Sequence, residues 1–327
     1  MATIDNKGRV RGTAGSVVYR TYRDKNIIQG KPAKFKQTQE SIKTSTEFGL
    51  SSSTAAIIRQ AFEPAYLHRD GTAVSRSTQL VYRSIRNGFS GSVGERDLHD
   101  ADLSHLNGME FNADSKLSEV LQMSHQVEQD SEGRVRVKLG SLNTQSGIKR
   151  PKGLSAGKLK YRVRLMLVAF NFREEYYEHL EVKDVDFGSY ETVDEQAVCF
   201  DSIPSPSGIL MLSMSLLVYN AIGLDEEAIL INSKEFSPCA IIGAFQSTTA
   251  SDRPKAAVNQ CAANYPVEQG NLHHMVYVGN LLMLGLGLRI DLHGSTASKT
   301  AQKVNLTARL NETSSGITLG QRVSFKK

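Results

Sequence analysis

From Leu159 to Phe172 the chain alternates with a period of two. Leu159, Tyr161, Val163, Leu165 and Leu167 fall on one side, with Lys160, Arg162 and Arg164 opposite. Successive side chains of a strand point to opposite faces, so only an extended conformation sorts this run into an apolar and a basic face. A long strand needs neighbours, and the sequence offers them. Alternating runs at 121–127 and 135–139 flank an Asp130–Gly133 turn, the clearest hairpin of the chain. Further runs lie at 176–183, 196–200, 209–220, 239–246, 273–278, 280–292, 301–310 and 316–325. Runs joined by turns rather than helices predict a mainly β protein whose body is an antiparallel β-sandwich or barrel. With no Trp and aromatics at only 7%, its core must rest on Leu, Ile, Val and Met.

The helical part is small and N-terminal. Residues 1–12 read as a basic arm, and Ser16–Arg23, a turn at Asp24–Asn26 and Ile27–Gly30 as a hairpin ending at Lys31-Pro32. One helix is expected from Thr38 to a stop at Gly49. A second, capped by Ser53 or Thr54, places Ile57, Ile58, Ala61 and Phe62 on one face, and a third opens at Thr72 with Val74, Thr78, Val81, Ile85 and Phe89 in helical spacing. The expected organisation is a basic arm and hairpin over 1–36, a helical segment over 37–94 and an antiparallel β domain over 95–327.

Charge lies in blocks. Residues 1–36 hold nine Lys/Arg against Asp5 and Asp24, residues 149–164 hold seven and no acid, and residues 174–201 hold ten acids against Lys183 alone. Such blocks act on partners through their summed fields rather than on fold. Arg9, Arg11, Arg20, Arg23, Lys31, Lys34 and Lys36, with Arg162 and Arg164, are the candidates for contact with a polyanion or with an acidic surface of a neighbouring subunit. Glu174, Glu175, Glu178 and Glu181 would supply that acidic surface. Tyr19, Tyr22 and Phe35 interleave the first block, a pattern suited to phosphate contact and base stacking. No RNP, KH or helix-turn-helix signature accompanies it.

Catalytic signatures fail on context. Gly12-Thr-Ala-Gly15 lacks the first glycine of a dinucleotide fingerprint, and Gly285-Leu-Gly287 lacks the last. Gly153-Leu-Ser155-Ala-Gly157 matches a nucleophile elbow, and Ser155-Ala-Gly-Lys158 matches S-x-x-K. A Pro-Lys loop precedes them and a strand-like run follows, so the required strand-turn-helix is absent, as are the partner motifs of S-x-x-K. His273 and His274 would face opposite sides of a strand, and no H-x-x-x-H spacing exists. Glu174-Glu175 and Asp184-x-Asp186 could serve glycoside hydrolysis, but without Trp platforms such dense like charge reads as surface. Cys199, Cys239 and Cys261 form no C-x-x-C pair and read as buried free thiols. The sequons at Asn305 and Asn311 read as incidental. No cofactor, metal or catalysis is expected.

The first residues lack the apolar core of a Sec signal, and no apolar run reaches the roughly 20 residues of a membrane helix. The chain is expected to be made in the cytoplasm, with release into an extracellular assembly left open.

The N-terminal residues Gly12-Thr-Ala-Gly15-Ser-Val-Val-Tyr19, Lys31-Pro32, Thr38-Gln39-Glu40 and Phe48-Gly49 resemble the start of uncharacterised proteins common in Bacteroidetes and in some phages. Those share a glycine-rich hairpin, a Pro after it and a T-x-x-Q helix opening; here Gln39 follows Thr38 directly. The resemblance covers about the first 60 residues. It implies no activity and points toward particle or filament components encoded without a leader.

Blocked charge, a basic segment ahead of the main fold and a body without a convergent polar cluster together favour one expectation. The chain is a non-enzymatic subunit that assembles head-to-tail with copies of itself into a filament, tube or particle. The alternative is a nucleic-acid-binding module using residues 7–36.

Overall fold

The computed structural model describes residues 2–23, 25–33, 36–88, 91–151, 153, 159–202, 208–222, 227–246 and 272–285. It falls into two compact units, 1–42 and 43–327.

The first unit is an antiparallel meander of β1 (Ala2–Ile4), β2 (Val10–Ala14), β3 (Val17–Tyr22) and β4 (Lys25–Gly30). The expected arm over 1–12 is therefore corrected. Ala2, Thr3 and Ile4 pair with Gly12, Arg11 and Val10, so the arm is a hairpin of β1 and the start of β2 within the sheet. Asp5 makes this possible by closing the turn, its Oδ1 accepting the backbone N–H of Lys7 at 2.9 Å and of Arg9 at 2.8 Å. The Gly12–Gly15 segment ends β2 and enters the turn to β3, with Gly15 at φ 60°, a conformation that favours glycine. Register sorts the side chains of the sheet. Ile4, Val10, Val17, Tyr19 and Ile28 share one face, and Arg11, Val18, Arg20, Tyr22, Lys25 and Ile27 share the other.

The second unit is mainly β. Its largest sheet comprises β5 (Met109–Glu110), β9 (Leu159–Asn171), β10 (Tyr176–Gly188), β13 (Ile209–Ile222), β14 (Glu227–Leu230), β15 (Cys239–Gln246) and β16 (Leu272–His274). The order is β16-β10-β9-β13-β15-β5, with β14 on β13, and every pairing is antiparallel. Among the described residues it is not closed into a barrel. A smaller sheet pairs β6 (His125–Gln129), β7 (Val135–Leu139) and β12 (Gln196–Phe200), and β8 (Leu142–Asn143) pairs with β11 (Thr192–Val193).

The long strand β9 belongs to two cores because its two faces alternate. Tyr161, Val163, Leu165 and Leu167 join Val135, Val137 and Leu139 of the small sheet and Leu212, Met214 and Leu216 of β13. From Met166 onward the opposite face is also buried: Met166, Val168 and Phe170 join Ile58, Phe62, Val81 and Ile85. Those last four come from the helical region, α1 (Gln39–Ala61) with Phe62 just beyond it, and α2 (Ala73–Arg86). Each such side chain fully removed from water contributes about 1.5–3 kcal/mol.

The expected stop at Gly49 is also corrected, since α1 runs through it. A Cβ at Gly49 would meet the Leu282 side chain at 3.1 Å, where α5 (Gly279–Gly285) approaches. The glycine serves close approach rather than termination. Short side chains continue that contact, and Thr54 Oγ1 lies 2.8 Å from the Tyr277 hydroxyl. α5 also replaces the start of the strand expected over 280–292. Leu121 is not in a ladder with Val127 but bridges to Ile148, and the strand begins at His125. Strands expected at 301–310 and 316–325 lie outside the described residues.

Candidate functional site

The basic face of β9 is satisfied within the chain. Arg164 lies opposite Asp184 of β10 and Arg162 opposite Asp186, because the register pairs those positions. Arg162 donates through Nε and Nη2 to the two Asp186 oxygens, both at 2.6 Å. Arg164 donates likewise to Asp184 at 2.9 and 2.8 Å, and the Arg162 guanidinium lies 5.5 Å from the Tyr219 ring centroid. The paired aspartate raises the Arg162 pKa and, conversely, the arginine lowers that of Asp186. Arg162 and Arg164, expected to seek acids on a neighbour, thus have them across the strand pair.

Of the acidic candidates, Glu175 and Glu181 have partners within the chain and Glu174 is exposed. Glu174 and Glu175 sit at the β9–β10 turn, Glu175 with φ 61° and its Oε1 accepting from Asn280 Nδ2 at 2.8 Å. Glu178 is half-buried, and burial raises its carboxyl above the ordinary range. Burial also acts to raise Glu181, but bonds from the Ser202 hydroxyl and backbone and from Lys183 outweigh it and hold the carboxyl low. Glu178 and Glu181 lie on β10, and Glu174 and Glu175 lie at the turn that precedes it.

The N-terminal basic residues behave differently. Arg11 and Arg20 lie on one face of the meander together with Tyr22 and Lys25, while Arg9 and Arg23 flank its turns. Arg11 approaches Asp5 at 3.7 Å, with its side chain still 59% exposed. Lys31 and Lys36 follow the sheet, both exposed, and Lys34 lies outside the described residues. No described residue of 2–33 is buried, and the charge-free face leaves Ile4 73% and Ile28 64% exposed.

No protein-family model matches the chain, and no curated protein matches it. Its chemistry must be read from its own residues.

Ser155, Lys158, Gly287, Cys261, Asn305 and Asn311 lie outside the described residues. Cys239 is buried as expected, but Cys199 is exposed on β12, a correction that follows from its outward position in a sheet with one covered face. His273 stacks on Tyr177 at 4.9 Å between centroids while His274 is exposed, as opposite faces of a strand require. Among the described residues no three His, Cys, Asp or Glu side chains converge as metal ligands. No described helix is long and apolar enough to cross a membrane.

Sequence reasoning missed one site altogether. Met214, Ala240 and Glu110 lie opposite one another in a row across β13, β15 and β5. Met214 and Ala240 border a cleft of about 660 Å³ that Leu117, Leu121 and Met123 help to wall. Glu110 Oε2 accepts the backbone N–H of Leu117 at 3.0 Å, at the start of the short turn α3 (Leu117–Val120). Burial nevertheless pushes its carboxyl up to about 7. A lone Glu between Met109 and Phe111 carries no motif, and only the β5–β15 pairing makes it notable.

Proposed function

We propose that this chain is a non-enzymatic structural subunit that assembles head-to-tail with copies of itself into a filament, tube or particle, using its N-terminal meander as a contact. One observation carries the reading: the meander has an apolar, charge-free face with none of its described residues buried. An exposed apolar face on so small a sheet is a surface that gains stability when a neighbour covers it. The opposite face, with Arg11, Arg20 and Lys25, would repel its own counterpart, whereas the Ile4–Val17–Ile28 face meets an apolar surface of a neighbour without desolvating a charge. A contact between unlike surfaces propagates into a ring or an open filament.

Sedimentation velocity and negative-stain microscopy of the wild type and of Ile28→Asp test this. Large assemblies are expected from the wild type. The variant should sediment as a monomer with the thermal transition of the second unit retained. A monodisperse wild-type monomer at high concentration and low salt would overturn the reading.

A second reading rests on a separate observation, that the same sheet gathers Arg11, Arg20, Lys25 and the exposed Tyr22 on its other face. This is a platform for phosphates and stacked bases. Binding of a short single-stranded oligonucleotide that weakens steeply with salt, and further in Arg20→Glu, would favour it over assembly.

A further inference from the structure

We infer that the cleft over Ala240 binds a small organic cation, an ammonium head on a short apolar body, with the Glu110 carboxylate as its counter-charge. At about 660 Å³ the cleft falls within the range of small-molecule sites, roughly 300–1,000 Å³. Leu117, Leu121, Met123 and Met214 give part of its wall an apolar character for the body of a bound molecule, and polar side chains such as Ser118, Gln122 and Ser124 line it beside Glu110. Among the described residues Glu110 is the one acidic side chain lining it.

The cations near Glu110 are committed elsewhere. Arg76 pairs with Asp70 at 2.5 Å and reaches only the backbone oxygen of Glu110. Lys116 Nζ is held by Glu119 Oε1 at 2.6 Å. The Cys239 thiol is buried, its pKa driven up by desolvation and by Glu110 itself, and brings no positive charge. Among the described residues the remaining titratable group of the lining is the imidazole of His125, on the exposed start of β6. A half-buried carboxylate without a cation in contact disfavours its own ionisation, and an incoming ammonium removes that penalty.

This predicts a pH signature. With the Glu110 carboxyl at about 7, the ionised fraction rises between pH 6 and 8. An alkylammonium keeps its charge throughout, with a pKa of about 10, so its affinity should rise roughly tenfold over that interval.

The experiment is a calorimetric titration of the full-length protein with hexylammonium chloride at pH 6 and pH 8, beside 1-hexanol and sodium hexanoate. Hexylammonium should bind at least tenfold more tightly than hexanol at pH 8, and hexanoate not at all. Glu110→Gln keeps an oxygen to accept from Leu117 and should lose both the preference for the ammonium and the pH dependence, which separates Glu110 from His125. Equal binding of ammonium and alcohol, an unchanged preference in Glu110→Gln, or no binding of any probe to the wild type would each overturn the assignment. If the variant does not fold, the comparison of the three head groups on the wild type still decides.

Discussion

Arg164 and Asp184 face each other across β9 and β10 with two parallel hydrogen bonds of 2.9 and 2.8 Å. Both are only a quarter exposed, more sheltered than an ordinary surface pair. Cross-strand pairs of opposite charge stabilise a sheet by about 0.2–1 kcal/mol, and like charges placed opposite destabilise it. Arg164→Glu should lower stability by about 1–2 kcal/mol, and the swap Arg164→Glu with Asp184→Arg should recover part of it. Chemical denaturation of the four proteins checks this. Simple additivity of the two changes would mean that the pair does not interact.

Val137 is fully buried on the middle strand of the small sheet, while Arg136 beside it is exposed. Val137→Asp places an unpartnered charge in that core and should cost several kcal/mol, enough to unfold a marginal domain. Far-ultraviolet circular dichroism on heating tests it. A wild-type melting curve would refute the register of β7.

That register was legible in the sequence because Val135, Val137 and Leu139 are buried for one reason, a strict period of two. The same holds for Tyr161, Val163 and Leu165. What could not be read was anything set by a distant neighbour. Gly49 has the local character of a helix stop, and only Leu282, far along the chain, explains its place inside α1. The charge blocks were visible, but their meaning depended on which aspartate stands opposite which arginine. Glu110 gave no sign, because its surroundings come from β15 and from the residues after Lys116.

Glu110 makes stability depend on pH in an unusual direction. Its folded carboxyl is raised from 4.5 to about 7, so the folded state binds the proton more tightly than the unfolded state. Its stabilising contribution is full below about 4.5 and is lost as pH rises through 7, by about 3 kcal/mol. Glu110→Gln should therefore be the more stable protein at pH 8 relative to wild type, with the difference vanishing near pH 4. Unfolding free energies of both proteins at those pH values measure it, other groups cancelling in the difference.

Asp70 acts in the opposite sense. Its carboxylate accepts from the Thr72 backbone and hydroxyl, both at 2.6 Å, from Arg76 and from the Ala113 backbone at 2.7 Å. Burial alone would raise its pKa, yet these bonds hold it far below the usual carboxylate range. Stability from this group is complete above about 4 and falls as acid protonates it. Asp70→Asn should cost roughly 2–4 kcal/mol at neutral pH and much less in strong acid. Equal losses at pH 7 and pH 2 would contradict the linkage.

Deleting residues 2–36 removes the meander, a separate compact unit up to the first turn of α1. The remaining chain should melt within about 2 °C of wild type, since both hydrophobic cores are made entirely of residues that it retains. Differential scanning calorimetry decides. Loss of the main transition would mean that the meander is needed for folding.

Because β9 serves as a wall for the helices on one side and for the small sheet on the other, cutting the chain between α2 and β5 should not liberate two pieces. The amino-terminal fragment would still carry Ile58, Phe62, Val81 and Ile85, and the surface they lie against, Met166, Val168 and Phe170, would be on the other fragment. Nicked molecules should migrate as one particle until denatured, and fragments expressed separately should find each other and reconstitute the fold.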